Sequence, residues 1–158
     1  MANVLKNAWS MIESEMVHSV DHPDGVPVTH AVVFGVGTYP YGRDISTAAA
    51  LVDLSSPIET ARAIANWLIE SYDNPLRPLA WVSLVVSAPA PFVYRNPVTG
   101  IDYVVPIGTT DDFENSVSAW SERAGSDAEN GSIFYYCGHG LSAGVRDCTL
   151  SRSLGQKP

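Results

Sequence analysis

HAVVFGVG, residues 30–37, is an apolar run rich in β-branched residues, closed by glycine and standing behind the Pro- and Gly-punctuated segment His18 to Pro27. Such a run has the length and composition of a strand buried on both faces, which is how strands of parallel sheets read. Two more segments of this kind follow, LAWVSLVVSA (79–88) and SIFYYC (132–137). Between the first and second the sequence predicts a helix. Ser56 suits its N-cap, Pro57 its first position, and Glu59 falls three residues after the cap to close a capping box. Ile58, Ala61, Ala65, Leu68, Ile69 and Tyr72 recur at helical spacing, and Asp73-Asn74-Pro75 ends the run. Between the second and third strands, residues 92–106 predict a hairpin turned by Asn96-Pro97-Val98-Thr99-Gly100. A second helix follows, capped by Thr109 or Thr110, burying Phe113, Val117, Trp120 and Ala124, with Gly125 where a left-handed residue closes it. Strand, helix, strand, helix, strand is the grammar of an α/β fold with a parallel sheet covered by helices.

Outside this frame, residues 1–20 predict a short amphipathic helix with Val4, Leu5, Ala8, Met11, Ile12 and Met16 on one side. Residues 38–54 form a loop of unusual length, a kind that often carries function. Trp67, Trp81 and Trp120 fall on the buried faces of their elements.

A 158-residue chain with 46% apolar and 16% charged residues has the makeup of one globular domain. Its net charge of −8 opposes nucleic acid and an anionic membrane surface as partners. The longest apolar stretch, Leu79 to about Val93, is interrupted by Pro89 and Pro91 and is shorter than the ~18 residues of a spanning helix. Glu13 and Glu15 break the apolar core that a signal peptide would need, so a cytoplasmic protein is expected. The two cysteines, Cys137 and Cys148, are too few for a disulfide scaffold and read as free thiols.

Chemistry in open α/β sheets gathers at the carboxyl ends of the strands, and two loops leave such ends: GVGTYPYGRD after the first strand and CGHGLSAG after the third. His139 lies between Gly138 and Gly140, which leave its ring uncrowded and let a ligand approach the backbone. The Gly140 amide is placed to face a developing negative charge. Gly35-x-Gly37 is a fragment of a dinucleotide fingerprint, but Pro40 occupies the third glycine position and no helix begins before Ser56, so no cofactor is expected. His18, Asp21, His22 and Asp24 have no diagnostic ligand spacing; they read as a polar linker and no metal is expected. No Gly-x-Ser-x-Gly elbow marks a serine hydrolase.

FYYCGHG resembles the aromatic strand followed by Gly-His-Gly of caspases, metacaspases and their bacterial relatives, the C14 family of cysteine peptidases. HAVVFGVGTYP is similar to their first strand, SSPIETARAIANWL to the next helix, and residues 111–140 to their approach to the histidine, so the likeness spans roughly 30–145. The resemblance implies a three-layer caspase-like fold, incomplete at its C-terminus. It divides the chain into an N-terminal helix and linker (1–29), the large-subunit part of a catalytic domain (30–147) and an irregular tail (148–158). It implies peptide-bond hydrolysis by a Cys–His dyad, with His139 as the histidine and Gly140 lending its N–H to the oxyanion. In the family the nucleophile ends the next core strand, after an acidic residue. Residues 141–158, LSAGVRDCTLSRSLGQKP, contain Asp147-Cys148 but no apolar strand leading into it. Cys137 precedes the motif and alternation turns it away from His139. The nucleophile is thus unassigned, and the chain alone is expected to be inactive. Arg43, Asp44 and Asp53 fall in the loop that helps shape the family's substrate pocket; as solvated loop charges they carry no assigned role. The implied partners are a protein or peptide substrate and another chain completing the sheet. The other expectation is a caspase-fold module without activity that binds a protein.

Overall fold

The computed structural model describes residues 16–40, 51–105 and 107–140. The chain forms β1 (Met16–Ser19), β2 (Thr29–Val36), α1 (Ser56–Ser71), β3 (Leu79–Ser87), β4 (Phe92–Arg95), β5 (Asp102–Val105), α2 (Thr110–Ala124) and β6 (Gly131–Cys137). The main sheet has the order β1-β3-β2-β6. β2 runs parallel to both β3 and β6, and β1 is antiparallel to β3. β4 and β5 form a separate antiparallel pair. The α/β architecture with a mainly parallel sheet is as the sequence predicts.

Period-two alternation divides the core. Ala31 and Val33 of β2 and Val82, Leu84 and Val86 of β3 face one side, where Ala61, Ala65 and Leu68 of α1 cover them. Val32, Phe34 and Val85 face the other side, under Phe113, Val117 and Trp120 of α2. One helix therefore lies on each face, and β2 is buried along nearly its whole length. Gly35 is required by the close approach of α1. A side chain there would meet the Pro57 carbonyl oxygen at 2.6 Å and Ala61 Cβ at 2.7 Å. At Gly37 it would meet the Leu54 carbonyl oxygen at 2.5 Å. The two glycines thus serve the close packing of β2 and its exit against α1 and the segment before it.

The hairpin turn is pinned by one side chain. Asn96, 1% exposed, accepts from the amides of Val98 and Thr99 and donates to the Val17 carbonyl of β1. Gly100 adopts φ +69, which only glycine takes without strain. Tyr94, also buried, donates to Asn66 of α1 and so ties the hairpin to the main body.

Several expectations require correction. Residues 16–19 are a strand and not the end of a helix: the free edge of β3 offers them a ladder, and Val17 is fully buried there. The rest of the predicted N-terminal helix lies outside the described residues. The N-cap of α1 is Ser55, without a side-chain hydrogen bond, and Glu59 pairs with Arg62 instead of closing a capping box. For α2 the cap is Thr109, in a reciprocal box with Asp112. Gly125 is right-handed, at φ −81. Trp67 points outward, 52% exposed, whereas Trp81 is buried at 2%. β6 is not buried on both faces: it pairs only with β2 among the described strands, and Phe134 and Tyr136 are nearly half exposed. No helix among the described residues is long and apolar enough to cross a membrane.

Candidate functional site

The order of the sheet decides where a site can form. From β2 the chain crosses through α1 to β3 on one side, then through α2 to β6 on the other. The direction of winding reverses at β2, and the loops that leave β2 and β6 diverge to leave a crevice at their carboxyl ends. Gly37-Thr38-Tyr39 and Gly138-His139-Gly140 are those two loops.

The first loop is anchored to β3 and to the segment before α1. The amides of Gly37 and Thr38 both donate to the Ser87 carbonyl, each at 3.0 Å. The Leu54 amide donates to the Gly37 carbonyl at 2.7 Å, and the Tyr39 amide to Asp53 Oδ1 at 2.9 Å. Asp53 therefore has a structural role, fixing the Tyr39 backbone. Tyr39 Oη donates to the Val36 carbonyl at 2.8 Å and accepts the His139 amide at 2.6 Å. One hydroxyl thus bridges the two strand exits, and the Tyr39 ring lies 4.7 Å from the His139 ring, centroid to centroid.

The His139 ring is held at its other end. Nε2 lies 2.9 Å from the Val52 carbonyl oxygen. A carbonyl only accepts, so Nε2 carries the hydrogen in this contact, and in the neutral ring Nδ1 is left with its lone pair. A backbone carbonyl in this place orients the ring and selects the tautomer with its hydrogen on Nε2.

Gly138 is needed for this geometry. A Cβ there would sit 2.9 Å from the hydroxyls of both Tyr136 and Tyr39, and 3.1 Å from Val36 Cβ. At Gly140 the corresponding position meets nothing within 4 Å, so its backbone is open to approach. Cys137 is a half-buried free thiol at the end of β6, near the Tyr135 hydroxyl, whose pKa is raised by burial and then by that thiol. Cys148, Arg43 and Asp44 lie outside the described residues.

The structure thus brings His139 together with Tyr39 and Val52, two residues to which the sequence reading gave no role. Tyr39 stood in a strand-exit loop already marked as a possible site wall. Nothing local distinguishes Val52, because its contribution is a backbone carbonyl. Of the N-terminal polar cluster, Asp21, His22 and Asp24 line one cavity, where His22 bonds the Leu79 carbonyl at 3.3 Å, and His18 lies apart in β1. Among the described residues no group of three His, Cys, Asp or Glu gathers as a metal site.

The cavity lined by His22 lies at the opposite, amino end of the strands, with a volume of about 490 Å³ and Asp21, Asp24, Arg123 and Asp127 on its walls. There the Arg123 guanidinium stands 5.1 Å from the Trp81 ring centroid. Burial, and then Arg123, hold the His30 pKa below its ordinary value.

Comparisons of the chain with protein-family models, curated proteins and solved structures gave no match.

Proposed function

We propose that this chain is the histidine-bearing part of a caspase-like cysteine peptidase domain, acting on protein or peptide substrates in the cytoplasm. The observation that supports this best is the state of His139. It stands at the carboxyl ends of the strands, its Nε2 is engaged by the Val52 carbonyl, and in the neutral ring Nδ1 holds the lone pair. A thiolate formed beside Nδ1 would attack the scissile carbonyl, and the imidazolium would then return the proton to the departing amine. The Gly140 amide is the candidate donor to the tetrahedral oxyanion, in keeping with the open space at that residue. The resemblance of FYYCGHG to the family motif supplies the reaction class; the ring geometry supplies a histidine suited to it.

The test uses the chain joined to a segment that supplies an apolar strand ending in Asp-x-Cys, and reads hydrolysis of a defined peptide mixture under reducing conditions by mass spectrometry, with His139 and with His139→Ala. The reading expects cleavage that falls at least about 100-fold in the variant, with an unchanged circular dichroism spectrum. Cleavage that survives His139→Ala would sink it.

A second reading, a caspase-fold module that binds a protein without cleaving it, is favoured by β6. That strand leaves one backbone edge unpaired among the described strands and exposes Phe134 and Tyr136. It expects a defined complex with a partner and no labelling of either cysteine by thiol-directed peptide inhibitors. Stoichiometric labelling would count against it.

A further inference from the structure

Beside the proposed catalytic histidine lies a cavity of about 690 Å³, within the ~300–1,000 Å³ range of small-molecule sites. Val36 of β2, Tyr136 of β6, Phe113 of α2 and Ile107 form its apolar walls, and Thr38, Ser87, Thr109 and Thr110 its polar part. Ile107 is held there by a bridge to Val86 of β3, and the amide of Gly108 donates to the Val86 carbonyl at 2.8 Å. Ile107 and Tyr136 remain 45% and 46% exposed, so two walls present apolar surface with no partner covering it.

We infer that this cavity receives an uncharged, apolar side chain of a peptide that passes His139. The identity of the occupant rests on the peptidase reading above. Continuity with the histidine comes at Gly138, where one Cβ position would meet both the Tyr136 hydroxyl of the cavity wall and the Tyr39 hydroxyl of the histidine's support, each at 2.9 Å. No charged residue lines the cavity among the described residues. Thr109 Oγ1 donates to Asp112 Oδ2 at 2.8 Å, whose carboxylate already occupies the start of α2, and the Thr38 and Ser87 hydroxyls are committed to each other. Ser87 Oγ donates to the Thr38 carbonyl at 3.1 Å, which leaves Thr38 Oγ1 to donate to Ser87 Oγ at 2.6 Å. A guanidinium, ammonium or carboxylate entering here would lose its water and gain no counter-charge, whereas a Leu, Met or Phe side chain would shed apolar surface against four apolar walls. The cavity therefore selects by exclusion of charge as much as by attraction.

The test uses N-acetylated hexapeptide amides identical except for one central residue, Leu, Phe, Asp or Arg, titrated against the full chain. Binding is followed through the methyl signals of Val36 and Ile107 and the ring signals of Phe113. The Leu and Phe peptides are expected to perturb these signals with at least about tenfold tighter binding than the Asp and Arg peptides. Ile107→Asp is expected to abolish that preference while the His139 ring signals stay in place. Tyr136→Gln, on a different wall, is expected to weaken it, which guards against a folding defect at one position. Equal binding of all four peptides, or binding that leaves these signals unmoved, overturns the inference. Cleavage that depends on His139 but prefers Asp or Arg overturns the cavity's role and leaves the peptidase reading standing. Apolar-selective binding supports the cavity whichever way the cleavage test of the completed domain falls, and cleavage by that domain that survives His139→Ala removes the peptidase reading alone.

Discussion

The two ends of the parallel strands are built from the same three elements and have opposite characters. At the carboxyl ends, a neutral cavity and a histidine sit on glycine-rich exits, with ring and backbone fixed by one hydroxyl and one carbonyl. At the amino ends, four charged side chains surround a buried histidine and tryptophan, of which His30 Nδ1 and Trp81 Nε1 have no hydrogen-bond partner among the described residues. The first end holds a histidine by its Nε2 at the Val52 carbonyl. The second keeps a titratable ring inside, where it is held neutral. A histidine's role here follows from which carbonyls and charges surround it, and not from its residue type.

That contrast can be broken most forcefully at Trp81. Trp81→Ala should cost about 3–5 kcal/mol of stability, because it empties a fully buried position beneath Arg123. Denaturant unfolding checks it, and the His139 signals of the remaining folded protein should not move. A smaller loss, about 1–2 kcal/mol, is expected for Tyr39→Phe, which removes both hydrogen bonds of the bridging hydroxyl. Here the order of effects reverses: the His139 resonances should shift while those of Trp81 stay fixed. If Tyr39→Phe leaves His139 undisturbed, the bridge has no hold on the ring.

The third expectation concerns pH. His30 has a folded pKa below its ordinary 6.5, so the unfolded chain binds more protons as the solution is acidified. Its contribution to stability is complete above about pH 6.5 and is lost as pH falls through that value toward the lowered folded pKa. His18, also lowered by burial, acts in the same direction. Unfolding midpoints at pH 7.5 and 5.5 should differ, and His30→Gln should flatten the slope in part. An unchanged slope would mean that His30 is not held neutral. The smallest effect is spectroscopic: nitrogen shifts of neutral His139 should report the Nε2–H tautomer, and a Nδ1–H majority would contradict the Val52 contact.

Local chemistry made the order of elements legible. Uninterrupted β-branched runs marked β2 and β3, and the choice of Thr109 or Thr110 and the Asn96 turn marked the start of α2 and the hairpin. Whether a strand is central or at an edge is not written locally, because it depends on which neighbours arrive; hence β6 read as buried and Met16–Ser19 as helix. Trp67 failed for a related reason: its helix has a buried face, but only the packed sheet decides how wide that face is. At the site, Gly138-His139-Gly140 was visible because glycines bracket one titratable residue. Tyr39 and Val52 were not, since they meet His139 across 100 and 87 residues of sequence.

The central place of β2 also has a consequence for how the chain is made. Both strands that flank β2 are synthesised after it, and the register that joins His30 to Ser132 spans 102 residues. At about 5–20 residues per second on the ribosome, one edge of β2, a strand buried along nearly its whole length, waits roughly 5–20 s for its partner. Pairing with β3 can come first, because α1 makes that crossover short. The β6 side closes late, and a nascent chain stalled before residue 131 would present the unpaired edge of β2 to any other strand or chaperone within reach.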